Sequence, residues 1–127
     1  MKKMKIEQPI ANSIVFLYNP DNERLQIPEW KGDGPYEANS TCVSVGTLSE
    51  IDGSTMVELL YPCSNDPSPG MILIFEGAIE TPDCQVSVNT SEKLDEMLVQ
   101  VATELSDVRV WVDRPKEPRR VIFGLSD

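Results

Sequence analysis

The chain has 127 residues, of which 40% are hydrophobic and 25% charged, and this composition excludes a chain that is disordered throughout. Its formal net charge of -10 makes nucleic acid and anionic membranes poor partners. The sequence has no histidine, so Ser-His and Cys-His nucleophile activation are excluded, and we expect neither an enzyme nor a cofactor.

The length favours a single domain over residues 1–127, in which residues 1–10 form either a flexible or an edge segment. No apolar run approaches the roughly 18–20 residues that a membrane span needs. The start is basic, but Glu7 and Pro9 interrupt it before the apolar core of a secretory signal could follow. We therefore expect a cytoplasmic protein.

The three cysteines, Cys42, Cys63 and Cys84, are an odd number with no paired spacing. This pattern argues against both a disulfide framework and a zinc site. Buried thiols in a reducing cytoplasm are the better interpretation, because a free cysteine behaves as a small hydrophobic residue.

Short apolar or alternating runs, rich in β-branched residues, recur along the chain and predict strands. They lie at residues 13–18, 41–47, 55–61, 71–76, 84–89, 108–112 and 120–125. Turn-forming residues separate them at intervals of about 8–12 residues, and the ten prolines fall mostly between the runs. We predict an all-β fold, an antiparallel β-sandwich of about 7–8 strands.

Two segments of this pattern need separate interpretation. Asp52-Gly53 stands between residues 48–51 and 54–57, which is a strong signal for a β-hairpin. Farther along the chain, apolar residues from Leu94 to Leu105 follow a helical spacing. We favour a strand at residues 97–102, because strands flank this segment on both sides. A helix over residues 91–105 is the alternative, and a short helix near residues 91–97 could also precede the strand.

Charge is unevenly distributed along the chain. Residues 32–107 contain fourteen acidic residues and a single cation, Lys93. Most of the other cations are near the chain ends, at Lys2, Lys3 and Lys5 and between Arg109 and Arg120. Such an acidic body either attracts a basic protein and accelerates its association, or only keeps the protein soluble.

The segment 108–123 is the basic exception. Pro115 and Pro118 cannot lie inside a central ladder, so residues 114–119 are best interpreted as the loop between the last two strands. Its cations either balance the acidic sheet, which we favour, or hold a carboxylate or phosphate. Trp111 either packs beneath the loop or is an exposed anchor. The candidate anion contacts are Arg114, Lys116, Arg119 and Arg120.

Residues 30–37, WKGDGPYE, form a loop rich in glycine and aromatic residues. Aromatic rings beside acids suit a contact with another protein. Trp30 and Tyr36 fit a plug at one end of the sandwich equally well. The glycine pair at residues 32–34 lacks the third glycine of a dinucleotide motif, which excludes nucleotide binding. The candidate partner-binding residues are Trp30, Asp33, Tyr36, Glu37, Glu50 and Asp52.

Residues 19–30 show the alternation of acids that calcium loops use. Arg24 replaces the glycine of an EF-hand and Trp30 replaces its bidentate glutamate, so an EF-hand is excluded. We therefore expect that the protein binds no metal. A looser site for calcium or a small ligand, built from the loop residues Asp21, Asp33 and Asp66, is the alternative function.

Several features occur in the order seen in a known family. They are the strand Val15–Tyr18 with an Asp/Asn turn after it, Pro28-Glu29-Trp30, Ala38-Asn39-Ser40, Ile74-Phe75-Glu76-Gly77 and Val108-Arg109-Val110-Trp111. In this layout the chain resembles the small acidic bacterial β-sandwich proteins that include the competence-J nuclease inhibitor. The resemblance implies a cytoplasmic protein that inhibits a partner protein, such as a basic nuclease, or neutralises a toxin as immunity proteins do. Together with the charge, it predicts a non-enzymatic module that binds a basic protein.

Overall fold

The computed structural model describes residues 2–63, 67 and 69–126, and these fold into two five-stranded sheets. In chain order the strands are β1 (Lys2–Gln8), β2 (Ile14–Tyr18), β3 (Tyr36–Ala38), β4 (Cys42–Gly46), β5 (Thr55–Tyr61), β6 (Ile72–Glu80), β7 (Gln85–Thr90), β8 (Met97–Gln100), β9 (Leu105–Val112) and β10 (Arg120–Ser126). A short 3-10 turn, Ala11–Ser13, lies between β1 and β2.

Sheet 1 has the strand order β1-β5-β10-β9-β6, and sheet 2 has the order β3-β4-β2-β7-β8. Neighbouring strands are antiparallel except β5 and β10, which pair in parallel. The prediction of an all-β antiparallel sandwich is confirmed, with ten described strands in place of 7–8. Residues 2–8 are an edge strand, one of the two alternatives for the start of the chain.

The core lies between the sheets and consists of the inward side chains of alternating residues. Sheet 1 contributes Val57, Leu59, Val108, Val110, Val112, Val121, Phe123 and Leu125, and sheet 2 contributes Val15, Leu17, Val43, Val45, Val86, Val88, Met97 and Val99. Burying each such side chain stabilises the fold by about 1.5–3 kcal/mol before conformational entropy is counted. This is why the valine alternation in the sequence fixes which face of each strand points inward.

The outer face of sheet 1 carries a second, smaller apolar cluster. Trp111 is buried there against Leu60, Cys63 and Ile122. Gly124 makes this packing possible, since a Cβ at that position would lie 2.8 Å from Cζ3 of Trp111 and 2.9 Å from Sγ of Cys63. Of the two alternatives for Trp111, the structure therefore shows the packed one.

The connection between β2 and β3, residues 19–35, runs along the outer face of sheet 2. The backbone N–H of Gln26 donates to Oγ1 of Thr41 at one end of β4. At the other end, the indole of Trp30 lies where a side chain of Gly46 would be. Because Val43 and Val45 point inward, Gly46 faces outward, and so Trp30 lies on the outside of the sheet.

The Asp52-Gly53 hairpin prediction is wrong. Residues 48–54 form a turn in which the N–H of Asp52 donates to the carbonyl of Ser49, but β4 belongs to sheet 2 and β5 to sheet 1. The dipeptide specifies a turn locally, whereas β5 takes distant strands, β1 and β10, as its partners. The connection therefore crosses from one sheet to the other.

The short helix near residues 91–97 is not formed in this fully described stretch, and the strand alternative is confirmed as β8. Two polar side chains at the end of β7 accept hydrogen bonds from backbone N–H groups of this stretch. Oγ1 of Thr90 accepts from the N–H of Lys93, and Oδ1 of Asn89 accepts from the N–H of Asp95. Such local bonds compete with helix formation. Within the described residues, no helix has the length and hydrophobicity needed to cross a membrane.

Candidate functional site

The ten predicted site residues all lie at one end of the sandwich. In sheet 1, the end of β1 lies opposite the start of β5, and the end of β9 lies opposite the start of β10. The loops before β5 and before β10 therefore lie at the same end of the sandwich. Backbone bonds tie the loops together: Leu48 N–H donates to the Pro118 carbonyl at 3.0 Å, and Gly46 N–H donates to the Pro35 carbonyl at 3.1 Å. We call the loops 30–35, 47–54 and 113–119, with the first residues of β3 and β10, the Trp30 end.

Trp30 and Asp33 line a cleft between two loops of this end. Its volume is about 500 Å³, and its walls are residues 32–35 on one side and residues 115–117 on the other. The Trp30 ring packs over Gly46, yet 40% of the residue stays exposed. Gly32 has φ +75°, a conformation that glycine adopts without strain and that lets the chain turn beside the indole. The cleft thus presents an aromatic surface next to a carboxylate.

Tyr36 and Glu37 open β3 and point in opposite directions. The ring of Tyr36 meets the ring of Phe75 edge to face, with centroids 5.1 Å apart and an interplanar angle of 65°. It thereby closes the space between the two sheets, as the plug interpretation predicts for Tyr36, whereas that interpretation is wrong for Trp30, which lies on the outside of sheet 2. Glu37 pairs in register with Ser44 and lies on the outer face of sheet 2. Of the two aromatic residues, only Trp30 offers an exposed ring to a partner.

Glu50 and Asp52 flank an exposed isoleucine, Ile51, in the turn between β4 and β5. Ile51 is 90% exposed, the largest fraction among the exposed large hydrophobic residues of the described chain. Burying such a side chain in a partner would be favourable by about 1.5–3 kcal/mol. The sequence pattern missed Ile51 because it assigned residues 48–51 to a hairpin strand. A hydrophobic tip between two carboxylates is a suitable anchor for a basic, partly apolar surface.

The basic loop is held mainly by internal bonds. Oδ1 of Asp113 accepts from the N–H groups of Arg119 and Arg120, at 3.0 and 3.2 Å. Nε of Arg114 donates to the carbonyl of Glu117 at 3.0 Å. These bonds support the structural interpretation of the loop. A contact with an anion stays a prediction for the four candidate residues, of which Arg114, Lys116 and Arg119 are exposed.

Arg120 has a specific partner in Glu58, on the neighbouring strand β5. Its Nε donates to Oε1 of Glu58 at 2.6 Å, and Nζ of Lys3 lies 3.2 Å from Oε2. Burial by itself raises the pKa of Glu58, but the bonds from Arg120 and Lys3 outweigh it and keep that pKa below its ordinary value. Both cations come from strands near the chain ends. The outer face of sheet 1 is therefore not uniformly acidic.

Two of the three residues of the calcium alternative, Asp21 and Asp33, line different clefts. Asp21 lines a cleft of about 340 Å³ with residues 22–24, 82 and 83, whereas Asp33 lines the Trp30 cleft. Asp66 is outside the described residues. Among the residues that are described, no group of three His, Cys, Asp or Glu side chains could hold a metal ion.

Comparison with known proteins gives a fold but no family. No family model matches the chain, and no curated protein matches it in sequence. ComJ from Bacillus subtilis, described as an inhibitor of the DNA degrading activity of NucA, has a TM-score of 0.57 at 8% identity, with 99% of this chain and 97% of that chain covered. The protein described as crocagin biosynthetic gene J has a TM-score of 0.55 at 11% identity, with 98% and 94% covered. At these identities the likeness shows a common fold, and it confirms the resemblance in layout.

Proposed function

We propose that the chain is a non-enzymatic protein-binding module of the inhibitor type, and that it docks its Trp30 end on a basic protein. One observation carries the proposal: a single end of the sandwich combines the exposed Ile51 and Trp30 with the carboxylates of Asp33, Glu50 and Asp52. Aromatic and aliphatic anchors ringed by charged groups are typical of protein interfaces.

Net charge supports a basic partner. The chain carries -10, so its field accelerates the approach of a positively charged protein and slows that of an acidic one. Lys116 and Arg119 interrupt the acidic surface at this end, so the complementary surface is basic with some acidic contacts. A uniform mimic of nucleic acid does not fit this mixture.

A nuclease is the partner class that the fold comparison suggests. ComJ shares the fold and is described as an inhibitor of a DNA-degrading protein. Nucleases are often basic where they hold phosphate, and an acidic protein can cover that surface. We infer the same kind of partner for this chain, or a basic toxin, and a cytoplasmic location in which Cys42, Cys63 and Cys84 stay reduced.

The experiment starts with the purified chain on a resin, which captures basic proteins from the producing cells at low salt. A captured protein should elute at about 0.5 M salt, where screening is strong. Its affinity is then measured for the chain and for Ile51→Asp. We expect the substitution to weaken binding by about tenfold or more.

Leu105→Asp is the matched control, because Leu105 is also exposed, at 58%, but lies at the opposite end of the sandwich. It should bind like the unaltered chain. Equal losses in the two variants would refute the assignment to the Trp30 end, and the absence of any basic protein among the captured ones would refute the function.

A further inference from the structure

Three of the four edge strands in the described sheets are protected against further pairing. β1 carries Lys2, Lys3 and Lys5, β3 has three residues, and β8 has four. Lysines and short length are common ways in which proteins keep sheet edges from pairing. β6 is the fourth edge; it has nine residues and contains neither lysine nor proline.

The backbone of β6 offers hydrogen-bonding groups on its outer side. The backbone N–H of Glu80 donates to the carbonyl of Ser40 at 2.8 Å, so this N–H group points away from β9. Because alternate residues of a strand face the same side, Ala78 and Glu76 also direct their N–H and C=O groups outward. The irregularity of the pairing lies earlier, between Leu73 and Phe75. Within the described chain, no strand pairs with β6 on that side.

A cleft of about 710 Å³ opens beside this edge, on the outer face of sheet 1. Glu76 and Asp107 line it, and no ion pair within the described chain engages either carboxylate. Arg109 also lines it, but its Nη2 donates to the Cys63 carbonyl at 2.8 Å and its guanidinium lies 5.0 Å from the Trp111 ring. The cleft therefore presents two carboxylates to any side chain that enters from the edge.

We propose that β6 binds an extended basic segment of a partner protein by strand addition, with a lysine or arginine side chain placed between Glu76 and Asp107. Main-chain bonds to Ala78 and Glu76 supply the attachment, and the carboxylates select the basic residue. A second copy of β6 is the less suitable occupant, because it would add the acidic side chains Glu76 and Glu80 to an edge that needs a basic one, and of these two only Glu80 has a cation nearby, Arg24 at 3.5 Å. This surface is separate from the Trp30 end, so the inference does not depend on the proposed function.

The probe is a synthetic peptide that alternates lysine and threonine and has nine residues, the length of β6. Titration followed by amide NMR should shift the signals of Glu76, Gly77 and Ala78, and amide exchange at Ala78 should slow by about tenfold or more. The same peptide with glutamate in place of lysine should not bind. N-methylation of alternate peptide residues should abolish binding, because it removes the N–H groups that a strand donates.

Three variants separate strand addition from general charge attraction. Glu76→Lys should weaken binding by about tenfold, while Glu50→Lys, an equal charge change at the Trp30 end, should leave it unchanged. Ala78→Pro removes an outward N–H without touching the bonds to β9, and should also abolish binding. If Ala78→Pro unfolds the protein, the binding of the N-methylated peptide to the unaltered chain provides the test instead. No binding at about 1 mM peptide, equal losses for both lysine variants, or full binding of the N-methylated peptide would each overturn the proposal.

Discussion

Glu58 and Arg120 are 62 positions apart in the chain, yet Nε of Arg120 lies 2.6 Å from Oε1 of Glu58 across the parallel pair β5–β10. Glu58 is almost fully buried, and Arg120 is about one-third exposed. The pair joins one of the fourteen acidic residues of positions 32–107 to a cation near the end of the chain. It also joins the central strand of sheet 1, β10, to its neighbour β5 on the outer face of the sheet.

Arg120→Met should lower the free energy of unfolding by about 2–3 kcal/mol, because Glu58 would keep only Lys3 as a partner for its buried charge. Lys3→Met should cost about 0.5–1 kcal/mol, since Lys3 is half exposed. Urea unfolding measures both values. Arg119→Met is the control, as Arg119 is exposed and should stay within about 0.5 kcal/mol of the unaltered chain. Equal costs at positions 119 and 120 would contradict the role of the pair.

Acid should remove the stabilisation that Glu58 supplies. Its folded pKa is lowered from the ordinary value of 4.5, so folding binds fewer protons at this site. The contribution is complete above about pH 4.5 and is lost as the pH falls through the lower folded pKa. Glu58→Gln should be less stable at neutral pH and should lose less stability on acidification, so the two curves converge in acid. Parallel curves between about pH 5 and pH 3 would show that the carboxylate is not linked to folding.

Gly124→Ala should destabilise the fold by about 1–3 kcal/mol, because the added methyl group enters the contact between Trp111 and Cys63. Thermal unfolding reports the loss. Gly34→Ala is the matched control, since nothing lies within 4 Å of a Cβ there. A normal unfolding temperature for Gly124→Ala would mean that Trp111 does not pack as described.

The three thiols should react with iodoacetamide at different rates. Burial raises the pKa of Cys42 to about 12, so very little of the reactive thiolate is present at pH 8. Cys84 is partly exposed and should be modified first, whereas Cys42 should react only through transient opening. Mass spectrometry of native and urea-unfolded samples distinguishes the sites. Rapid modification of native Cys42 would contradict its complete burial.

The sandwich could be predicted because its cause is local. Valine alternation in runs such as 108–112 specifies which side chains face the core, and a half-buried strand needs little else. The partners of each strand depend on distant residues. The sequence therefore predicts the turn at Asp52-Gly53 correctly but not the crossing between sheets. It also does not decide between a flexible and an edge segment for β1, whose lysines face solvent beside the half-buried Met4 and Ile6.

The sequence predicted which loops form the candidate site, but it did not predict the contacts of the individual side chains. Composition singled out residues 30–37, the turn at 50–53 and the loop at 114–119, and the fold brings all three to one end. Individual roles depend on packing that no local pattern reveals. Ile51 is an exposed tip instead of a strand residue, Tyr36 packs on Phe75, and Arg120 binds Glu58.

Hydrogen exchange of the chain with its captured basic partner tests most directly whether the Trp30 end is the binding surface. The account predicts slower amide exchange on binding at residues 30–35 and 47–54, with no change at residues 101–105 on the opposite end. Protection confined to the opposite end, with residues 47–54 exchanging as in the free protein, would contradict it.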